Sequence, residues 1–320
     1  MIRVFLTSLC LTLVVRVAAQ TGDPTTTTHE PSGFVPEGYE LVWNDEFDNG
    51  TTLNSNDWTH EMKGKGWVNH ELQYYVNHQT PQGNLVTEVK DDALIIRCLE
   101  EDGKVFSGRV YAKVLQGWTY GYIEGRIKLP KGRGTWPAFW MMPVHFHSWP
   151  ADGEIDIMEE VGYHPNYVSS SLHANAHVHS NGTQVTHEMF CEGAEDGYHI
   201  YAIEWTADKI TTYVDGQVQL EYPNRGLGRN DWPYDAPFYI ILNLAWGGDW
   251  GGQQGVDMEA LPAEMLVDYV RVYQKSTSSI RPVAVSAEHK DNFMYDLQGR
   301  RVSQPRKGLY IQDGRKIIIS

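Results

Sequence analysis

The sequence predicts an all-β protein, built as a sandwich or barrel of many short strands. Between Gly38 and Lys275, short apolar runs alternate with Gly, Pro or Asn, a texture typical of strands separated by turns. No segment of three helical turns shows a 3.6-residue period, and no internal repeat is present. The chain also contains 30 glycines, which agrees with many tight turns. Strands without helices favour a sandwich or barrel over an α/β fold.

The predicted strands follow one another along the whole central region. Residues 199–222 are interpreted as successive strands, with Asp215-Gly216 as the tight turn of a hairpin. The other clear strands, each bounded by turn residues, are residues 93–98, 120–129, 154–161, 168–174, 238–245 and 266–274. We therefore expect one large β domain over residues 37–275.

The amino terminus has the composition of an export signal. Residues 1–19 combine Arg3 with a short apolar stretch and small residues before Gln20, a pattern typical of a signal peptide. The apolar run is too short to span a bilayer, and no later segment is long and apolar enough. Residues 20–36 are rich in Thr and Pro and are predicted to form a linker. We expect an exported protein without a transmembrane segment.

Charge separates the last 45 residues from the rest. The whole chain carries −15, but residues 276–320 hold eight basic and four acidic residues, which leaves −19 for residues 1–275. We interpret this basic tail as two small β-hairpins, which either dock on another protein surface or act as a sorting segment. A main domain this acidic disfavours nucleic acid, anionic membranes and polyanionic substrates as partners, so a neutral ligand is expected.

Only two cysteines, Cys98 and Cys191, remain after the predicted signal peptide. They are too few for a disulfide scaffold and lack the spacing of a zinc motif. They could pair in an oxidising compartment. Two separately buried thiols are the favoured interpretation.

The densest chemical signal is the acidic segment from Gly153 to Val161. Side chains alternate on a strand, so Glu154 and Asp156 share one face, but strict alternation would turn Glu159 into the core. One extra residue at Ile157-Met158, a β-bulge, would bring Glu159 onto the face of the other two carboxylates. Three converging carboxylates shift each other's pKa values, which is useful in catalysis. The alternative is a solvated acidic edge strand.

Aromatic residues accompany this acidic strand. Trp136 and Trp140 lie in a Gly/Pro-rich strand just upstream, and Trp246 and Trp250 lie in a glycine-rich segment downstream. Flat indole rings are good platforms for sugar rings, although core tryptophans are an equally ordinary interpretation. Aromatic walls beside a row of carboxylates, in a protein that favours neutral ligands, indicate a glycoside hydrolase.

Five motifs in order give the chain a specific resemblance, over residues 39–274. They are VWNDEF (42–47), YGYIEGRIKLP (120–130), GTWPAFWMMP (134–143), EIDIMEE (154–160) and VDYVRVY (267–273). Together they resemble glycoside hydrolase family 16, in its bacterial laminarinase and endo-β-1,3(4)-glucanase branch. The resemblance implies a jelly-roll β-sandwich of two curved antiparallel sheets with a concave substrate cleft.

The resemblance also implies roles for single residues. Glu154 would be the nucleophile, Asp156 the carboxylate that tunes it, and Glu159 the general acid/base. The residue chemistry agrees, because retaining hydrolysis needs one ionised and one protonated carboxyl about 5–5.5 Å apart. The ionised pair of Glu154 and Asp156 should raise the pKa of Glu159. The implied substrate-binding residues are Asn69, Trp136, Trp140, His173 and Trp246.

Many family members hold a structural calcium ion far from the cleft. The matching positions here are Glu46, Asp268 and the backbone carbonyl of Asp92. The turn that contains Asp92 is usually Asp-Gly in the family, whereas here it is Asp91-Asp92. Oxygen ligands suit calcium. The alternative is a set of ordinary surface carboxylates, and no cofactor is required for the chemistry.

The leading hypothesis is a monomeric, exported endo-β-glucanase that retains configuration and cuts β-1,3 or mixed β-1,3/1,4-glucans. The resemblance places Met158, the extra residue between Asp156 and Glu159, with this branch rather than with lichenase-type relatives. A lichenase-type or other family 16 hydrolase, or a transglycosylase, is the nearest alternative. A non-catalytic glucan-binding jelly roll is the alternative from another class. Such proteins usually lose one of the paired carboxylates, and all three are intact here.

Overall fold

The computed structural model describes residues 31–178, 181–276, 293–296, 299–312 and 315–319. The predicted signal peptide, residues 1–19, and most of the predicted linker lie outside the described residues. Contacts divide the chain into two compact units, residues 1–275 and 276–320. The first unit contains two large β-sheets and very little helix. No helix among the described residues is long and apolar enough to cross a membrane.

The larger sheet of the first unit has ten strands. Its main order is β15-β14-β13-β8-β17-β5-β6-β3, with β1 paired to β17 and β4 to β5. Pairing is antiparallel except between β3 and β6. The strands are β1 (Tyr39–Asp45), β3 (Gln73–Tyr75), β4 (Thr87–Lys90), β5 (Ala93–Glu101), β6 (Lys104–Ser107), β8 (Gly121–Lys128), β13 (His199–Trp205), β14 (Lys209–Val214), β15 (Gln217–Pro223) and β17 (Ala263–Lys275).

The second sheet has seven strands and carries the candidate site. Its order is β12-β11-β10-β9-β16-β7-β2, and all pairs are antiparallel. The strands are β2 (Trp58–His60), β7 (Arg109–Ala112), β9 (Thr135–Pro143), β10 (Glu154–Glu159), β11 (Tyr167–His173), β12 (Val185–Phe190) and β16 (Phe238–Trp246). A single short helix, α1 (Gly248–Gly251), follows β16, and a 3-10 turn covers Met258–Ala260.

One apolar core fills the space between the two sheets. Phe139, Ile155 and Ile157 enter it from the seven-stranded sheet, and Ile123 and Val270 from the ten-stranded sheet. Burying each such side chain contributes about 1.5–3 kcal/mol. This two-layer arrangement confirms the predicted jelly-roll sandwich and leaves the other face of the seven-stranded sheet for function.

Two predicted turns adopt the conformation that their hairpins need. Asp215 and Gly216 both have positive φ, 48° and 75°, between β14 and β15. Asp91 and Asp92 also have positive φ, 53° and 56°, between β4 and β5. Aspartate tolerates this left-handed region better than most residues, so the second turn forms without a glycine.

The predicted boundary of the linker at residue 36 is corrected by the structure. Ser32 Oγ donates a hydrogen bond to Glu124 Oε2 at 2.6 Å. Val35 packs against a small apolar cluster of Tyr122 and Tyr273 on the ten-stranded sheet. The packed part of the first unit therefore begins before residue 37. Val35, an apolar side chain near the end of the Thr/Pro-rich segment, allows this segment to pack against the sheet.

The described part of residues 276–320 forms a four-stranded antiparallel sheet, in the order β19-β18-β20-β21. Its strands are β18 (Met294–Tyr295), β19 (Arg301–Val302), β20 (Gly308–Gln312) and β21 (Arg315–Ile319). Two hairpins, β18-β19 and β20-β21, are joined by pairing of β18 with β20. The two predicted hairpins are thus present, and they form one small sheet.

Candidate active site

A β-bulge in β10 places three carboxylates on one face. Asp156 pairs with Trp140 of β9 and Met158 with Phe139, so Ile157 has no partner in the register. Against β11 the same shift lies between Asp156 and Glu159. Ile157 and Met158 are both fully buried. The predicted bulge is therefore confirmed, and Glu159 joins Glu154 and Asp156 on what we call the catalytic face of the seven-stranded sheet.

Ser170 of β11 stabilises the irregular backbone at the bulge. Its hydroxyl donates a hydrogen bond to the carbonyl oxygen of Asp156 at 2.7 Å, and both groups are buried. A buried carbonyl without a partner would cost free energy, so this bond removes a penalty that the bulge would otherwise carry. The position of Glu159 thus depends on a side chain of the neighbouring strand.

Glu159 is oriented by a tryptophan of the adjacent strand. The indole Nε1 of Trp136 donates to Glu159 Oε1 at 2.9 Å. The Trp136 ring itself lies edge-on against Trp250 of α1, with ring centroids 5.5 Å apart. With Oε1 held by the indole, the other carboxyl oxygen is available to carry a proton. Trp136 is therefore a positioning group for Glu159 as well as a candidate sugar platform.

Glu154 is held by a second tryptophan, which the sequence analysis did not assign to the site. Trp149 Nε1 donates to Glu154 Oε2 at 3.1 Å. The Trp149 loop is fixed by Asp152, whose Oδ2 accepts hydrogen bonds from the backbone N–H groups of His147 (2.6 Å) and Ser148 (2.9 Å). An aspartate that accepts hydrogen bonds from the backbone of its own loop is a common local motif. The contact between Trp149 and Glu154 forms only when this loop is folded.

His173 completes the catalytic group from β11, directly across from Glu154. Its Nε2 lies 3.0 Å from Asp156 Oδ2 and 3.7 Å from Glu154 Oε1. Burial alone would lower the pKa of His173, but the hydrogen bond and negative charge of Asp156 raise that pKa to about 9. His173 is therefore a cation at neutral pH and partly neutralises the carboxylates.

Both glutamates of the site have a raised pKa. Burial, followed by the charge of Asp156, raises the pKa of Glu154 to about 7. The same two causes raise the pKa of Glu159 well above its ordinary value. Burial exceeds the charge of the neighbouring carboxylates as a cause, whereas the sequence analysis relied on charge alone. Glu154, Glu159 and His173 influence one another's charge, so the pKa of one depends on the protonation of the others.

A chain of buried hydrogen bonds links Trp140 to Asn69 across the catalytic face. Trp140 Nε1 donates to Asn243 Oδ1 (2.7 Å), and Asn243 Nδ2 donates to the Tyr75 hydroxyl oxygen (3.2 Å). That hydroxyl donates to Glu71 Oε2 (3.2 Å), while Asn69 Nδ2 donates to Glu71 Oε1 (3.3 Å). Two predicted substrate-binding residues are thus connected through a buried glutamate that the sequence analysis missed.

Arg109 of β7 lies in the same region and was also missed. Its guanidinium group lies 4.7 Å from the centroid of the Trp140 ring and 5.1 Å from that of Trp67. Its Nε donates to Glu61 Oε2 at 2.9 Å. A cation over the Trp140 ring fixes the indole plane. Trp140 is consequently a rigid, half-buried wall of the site.

The structure corrects the predicted role of Trp246. Its side chain is fully buried in the apolar core between the sheets, so it offers no ring face to a sugar. Alternation along β16 explains this outcome, since Asn243 and Ala245 point to the catalytic face and Trp246 must point away. Of the predicted substrate-binding residues, Asn69, Trp136, Trp140 and His173 lie on the catalytic side.

The residues predicted to hold calcium are engaged in other contacts. Glu46 accepts hydrogen bonds from Arg271 Nε and Nη2, both at 2.8 Å. Asp268 Oδ2 accepts one from Arg126 Nη1 at 2.7 Å. Two arginines already balance these carboxylates. Glu46 and Asp268 are thus paired with different arginines in this structure, and a calcium ion held by them and the Asp92 carbonyl stays a prediction.

The chain is similar to known proteins over the part that contains this site. The family model described as "Glycosyl hydrolases family 16" matches residues 75–271. The beta-glucanase of Rhodothermus marinus is 43% identical over 248 residues, which cover 74% of this chain and 85% of that protein.

Solved structures agree with the sequence relatives. The laminarinase from Rhodothermus marinus has a TM-score of 0.70 at 42% identity, over 74% of this chain and 98% of that one. SCLam, a non-specific endo-beta-1,3(4)-glucanase, has a TM-score of 0.71 at 39% identity, over 76% and 93%. With its fold, its bulged acidic strand and these similarities, the chain belongs to glycoside hydrolase family 16.

Proposed function

We propose that the protein is an endo-acting β-glucan hydrolase that retains the configuration of the anomeric carbon. The observation that carries this proposal is the pair of glutamates that the bulge in β10 brings to one face. Glu154 has a pKa of about 7, and burial and the charge of Asp156 raise the pKa of Glu159 well above its ordinary value, which favours Glu159 as the proton donor. A retaining glycosidase needs this combination of one ionised and one protonated carboxyl. The names of the family relatives support a β-glucan as the substrate.

In the first step, a carboxylate oxygen of Glu154 attacks the anomeric carbon and forms a glycosyl ester. The bond from that carbon to the glycosidic oxygen breaks, and the oxygen takes the proton of Glu159. Asp156 and the cationic His173 lie beside Glu154 and hold its charge and orientation. Trp149 donates to one oxygen of Glu154, which restricts the carboxylate to one attacking geometry.

In the second step, Glu159 acts as a base. Formation of the ester removes the negative charge of Glu154, so Glu159 is left as a carboxylate that can accept a proton. It takes a proton from water, whose oxygen attacks the anomeric carbon and releases Glu154. Two displacements at one carbon give net retention. The Trp136 hydrogen bond to Oε1 keeps Glu159 in the same place for both steps.

The proposed substrates are β-1,3-glucans and mixed β-1,3/1,4-glucans. The catalytic face has an aromatic side formed by Trp136, Trp140 and Trp250, which a bent β-1,3 chain can follow. A main domain with a strongly negative charge disfavours sulfated chains. We expect internal cleavage of laminarin, cleavage of mixed-linkage glucan next to a β-1,3-linked unit, and no cleavage of cellulose.

We further propose that the enzyme is exported and acts as a monomer. Export is supported by the composition of residues 1–19, and the basic tail is proposed to serve sorting or attachment rather than chemistry. A chain that ends at Lys275 should then keep its turnover. Loss of glucan affinity on this truncation would instead make the tail a binding module.

The decisive experiment is product analysis on laminarin, lichenan, barley glucan and cellulose side by side. Short oligosaccharides from laminarin, with β-anomers first in the proton NMR spectrum, support the proposal. An initial α-anomer would exclude the roles given to Glu154 and Glu159. Activity on barley glucan without activity on laminarin would indicate a lichenase-type enzyme, and longer products than the substrate would indicate a transglycosylase. Binding without cleavage would indicate a lectin.

A further inference from the structure

Three chain segments away from the catalytic face bring Cys191, His199 and Asp215 together. Each offers one potential ligand atom, a sulfur, a ring nitrogen and a carboxylate oxygen, and these atoms lie within 4.8 Å of one another. Cys191 follows β12, His199 begins β13, and Asp215 lies in the turn between β14 and β15. The glucanase mechanism uses none of them.

The histidine and aspartate of this cluster are already oriented toward each other. His199 Nδ1 lies 2.7 Å from Asp215 Oδ2. The second oxygen of Asp215 accepts a hydrogen bond from the backbone N–H of Ile200 at 2.8 Å. The backbone N–H of Asp215 donates back to the Ile200 carbonyl at 2.8 Å. The carboxylate is thus held rigidly, as a preformed ligand must be.

The cysteine approaches from the buried side. Cys191 is buried and does not form a disulfide, and its backbone N–H donates to the Asn166 carbonyl at 2.8 Å. The hydroxyl of the fully buried Tyr201 lies against this thiol and has no hydrogen-bond partner of ordinary geometry. A buried hydroxyl without a full partner carries a cost, and the Cys191 thiolate that a bound metal ion requires could accept its hydrogen bond.

Two chemical interpretations of a Cys–His–Asp group can be compared. A nucleophilic cysteine needs a thiol that a substrate can reach, whereas Cys191 is buried. A metal site needs sulfur, nitrogen and oxygen atoms that converge, with one open side. The cluster meets this second condition, since the Asp215 side chain is 41% exposed while Cys191 is buried.

We propose that Cys191, His199 and Asp215 form a binding site for a divalent metal ion that accepts sulfur and nitrogen ligands, with Zn²⁺ as the leading candidate. Three protein ligands and a water molecule make a common zinc coordination set. Binding releases the thiol proton of Cys191 and the Nδ1 proton of His199, if present, to solvent. The ion would join the end of β12 to β13 and to the β14–β15 turn. These ligands come from distant segments, so the site would leave no zinc motif in the sequence.

The test uses the full chain, stripped with a chelator and titrated with Co²⁺ as a spectroscopic probe and with Zn²⁺. Co²⁺ should produce a thiolate charge-transfer band in the near ultraviolet. Zn²⁺ at a hundredfold excess over its Kd should raise the unfolding midpoint by about 5 °C. Cys191→Ser should abolish the band and weaken Zn²⁺ binding by more than about 100-fold, because loss of an outer-shell partner alone costs 10- to 100-fold.

Two further variants make the outcome decisive. Asp215→Asn retains the hydrogen bond to Ile200 but weakens the oxygen ligand, so it should lower the Zn²⁺ affinity while the protein stays folded. Cys98→Ser removes the other buried thiol and should leave the Co²⁺ band unchanged. No band in the wild-type protein, or a band that survives Cys191→Ser, would overturn the proposal. Glucanase activity is not part of the readout, so this result is independent of the proposed function.

Discussion

Glu159 and Glu160 are neighbours in sequence, and they lie in two contrasting regions of the molecule. Glu159 is on the catalytic face, next to Asp156 and hydrogen-bonded by Trp136. Glu160 is fully buried at the other side of the strand, where burial and the charge of Glu195 raise its pKa to about 9. Both carboxyls therefore have a raised pKa. A raised pKa alone does not identify a catalytic acid.

What separates the two regions is the set of partners. Around Glu159 are two further carboxyl groups, a cationic histidine and an indole donor, all on the catalytic face. Glu160 Oε1 accepts a hydrogen bond from the backbone N–H of Asn166 at 2.6 Å, and its other oxygen has no partner among the described residues. A carboxyl on the catalytic face can exchange a proton with a substrate. The buried carboxyl of Glu160 has no such contact.

The largest expected effect is on activity. Glu154→Gln and Glu159→Gln should each lower kcat on laminarin by more than about 100-fold, since each removes a nucleophile or a proton carrier. Glu160→Gln should keep nearly all activity, because a neutral amide replaces a neutral acid. Circular dichroism of all three variants controls for folding. Activity retained in Glu159→Gln but lost in Glu160→Gln would reverse the assignment of the two residues and show that β10 is regular.

A smaller effect is expected on the pH dependence when His173 is replaced. The positive charge of His173 lowers the pKa values of both Glu154 and Glu159. His173→Asn keeps a donor for Asp156 but removes that charge, so both pKa values should rise by roughly one unit or more. Both limbs of the kcat/KM profile should then move to higher pH. Limbs that stay in place, or move to lower pH, would contradict the charge role.

The acidic strand was the most predictable part of the site. Strict alternation would turn Glu159 into the core, which predicted a bulge between Asp156 and Glu159, and the structure has it. The bulge buries Glu160 instead, so the cost of a buried glutamate did not by itself fix the register. The same rule of alternation could have excluded Trp246, which is three residues from Asn243 and must face the opposite way. That error arose because the glycine-rich context was given more weight than strand register.

Other features could not be predicted because they depend on contacts between distant segments. Tyr75 and Asn243 are 168 residues apart in the chain, and their hydrogen bond connects Trp140 to Asn69 only after both sheets have formed. The contact of Trp149 with Glu154 depends in the same way on the loop that Asp152 closes. Sequence patterns predict which face a residue occupies, and they do not predict its partner.

Two substitutions at Trp136 can separate its proposed contact with a sugar ring from its hydrogen bond to Glu159. Trp136→Phe keeps an aromatic ring but removes the N–H that lowers the pKa of Glu159. It should move the alkaline limb of the pH profile upward with little change in KM. Trp136→Ala should in addition weaken glucan binding by about 1–2 kcal/mol, the value expected for one aromatic contact. Equal behaviour of the two variants, measured by kinetics and binding to a laminarin oligosaccharide, would show that the ring contacts no sugar.

The smallest effect on catalysis, with a clear effect on stability, is expected for Glu160→Gln. Its folded-state pKa of about 9 lies above the ordinary value of 4.5, so the folded protein holds a proton that the unfolded chain releases between these values. The stability from this group is complete below pH 4.5 and is lost as the pH rises toward 9, by about 1.4 kcal/mol per pH unit for one proton. Glu160→Gln replaces the ionisable carboxyl with a neutral amide, so the variant should lose less stability than the wild-type protein between pH 6 and 8.5 in denaturant titrations.

Glu192→Gln, at an exposed position near Cys191, is the matched control and should follow the wild-type curve. Parallel curves for wild-type and Glu160→Gln proteins would mean that Glu160 is ionised in the folded state, and the contrast between the two sides of the strand would then be lost.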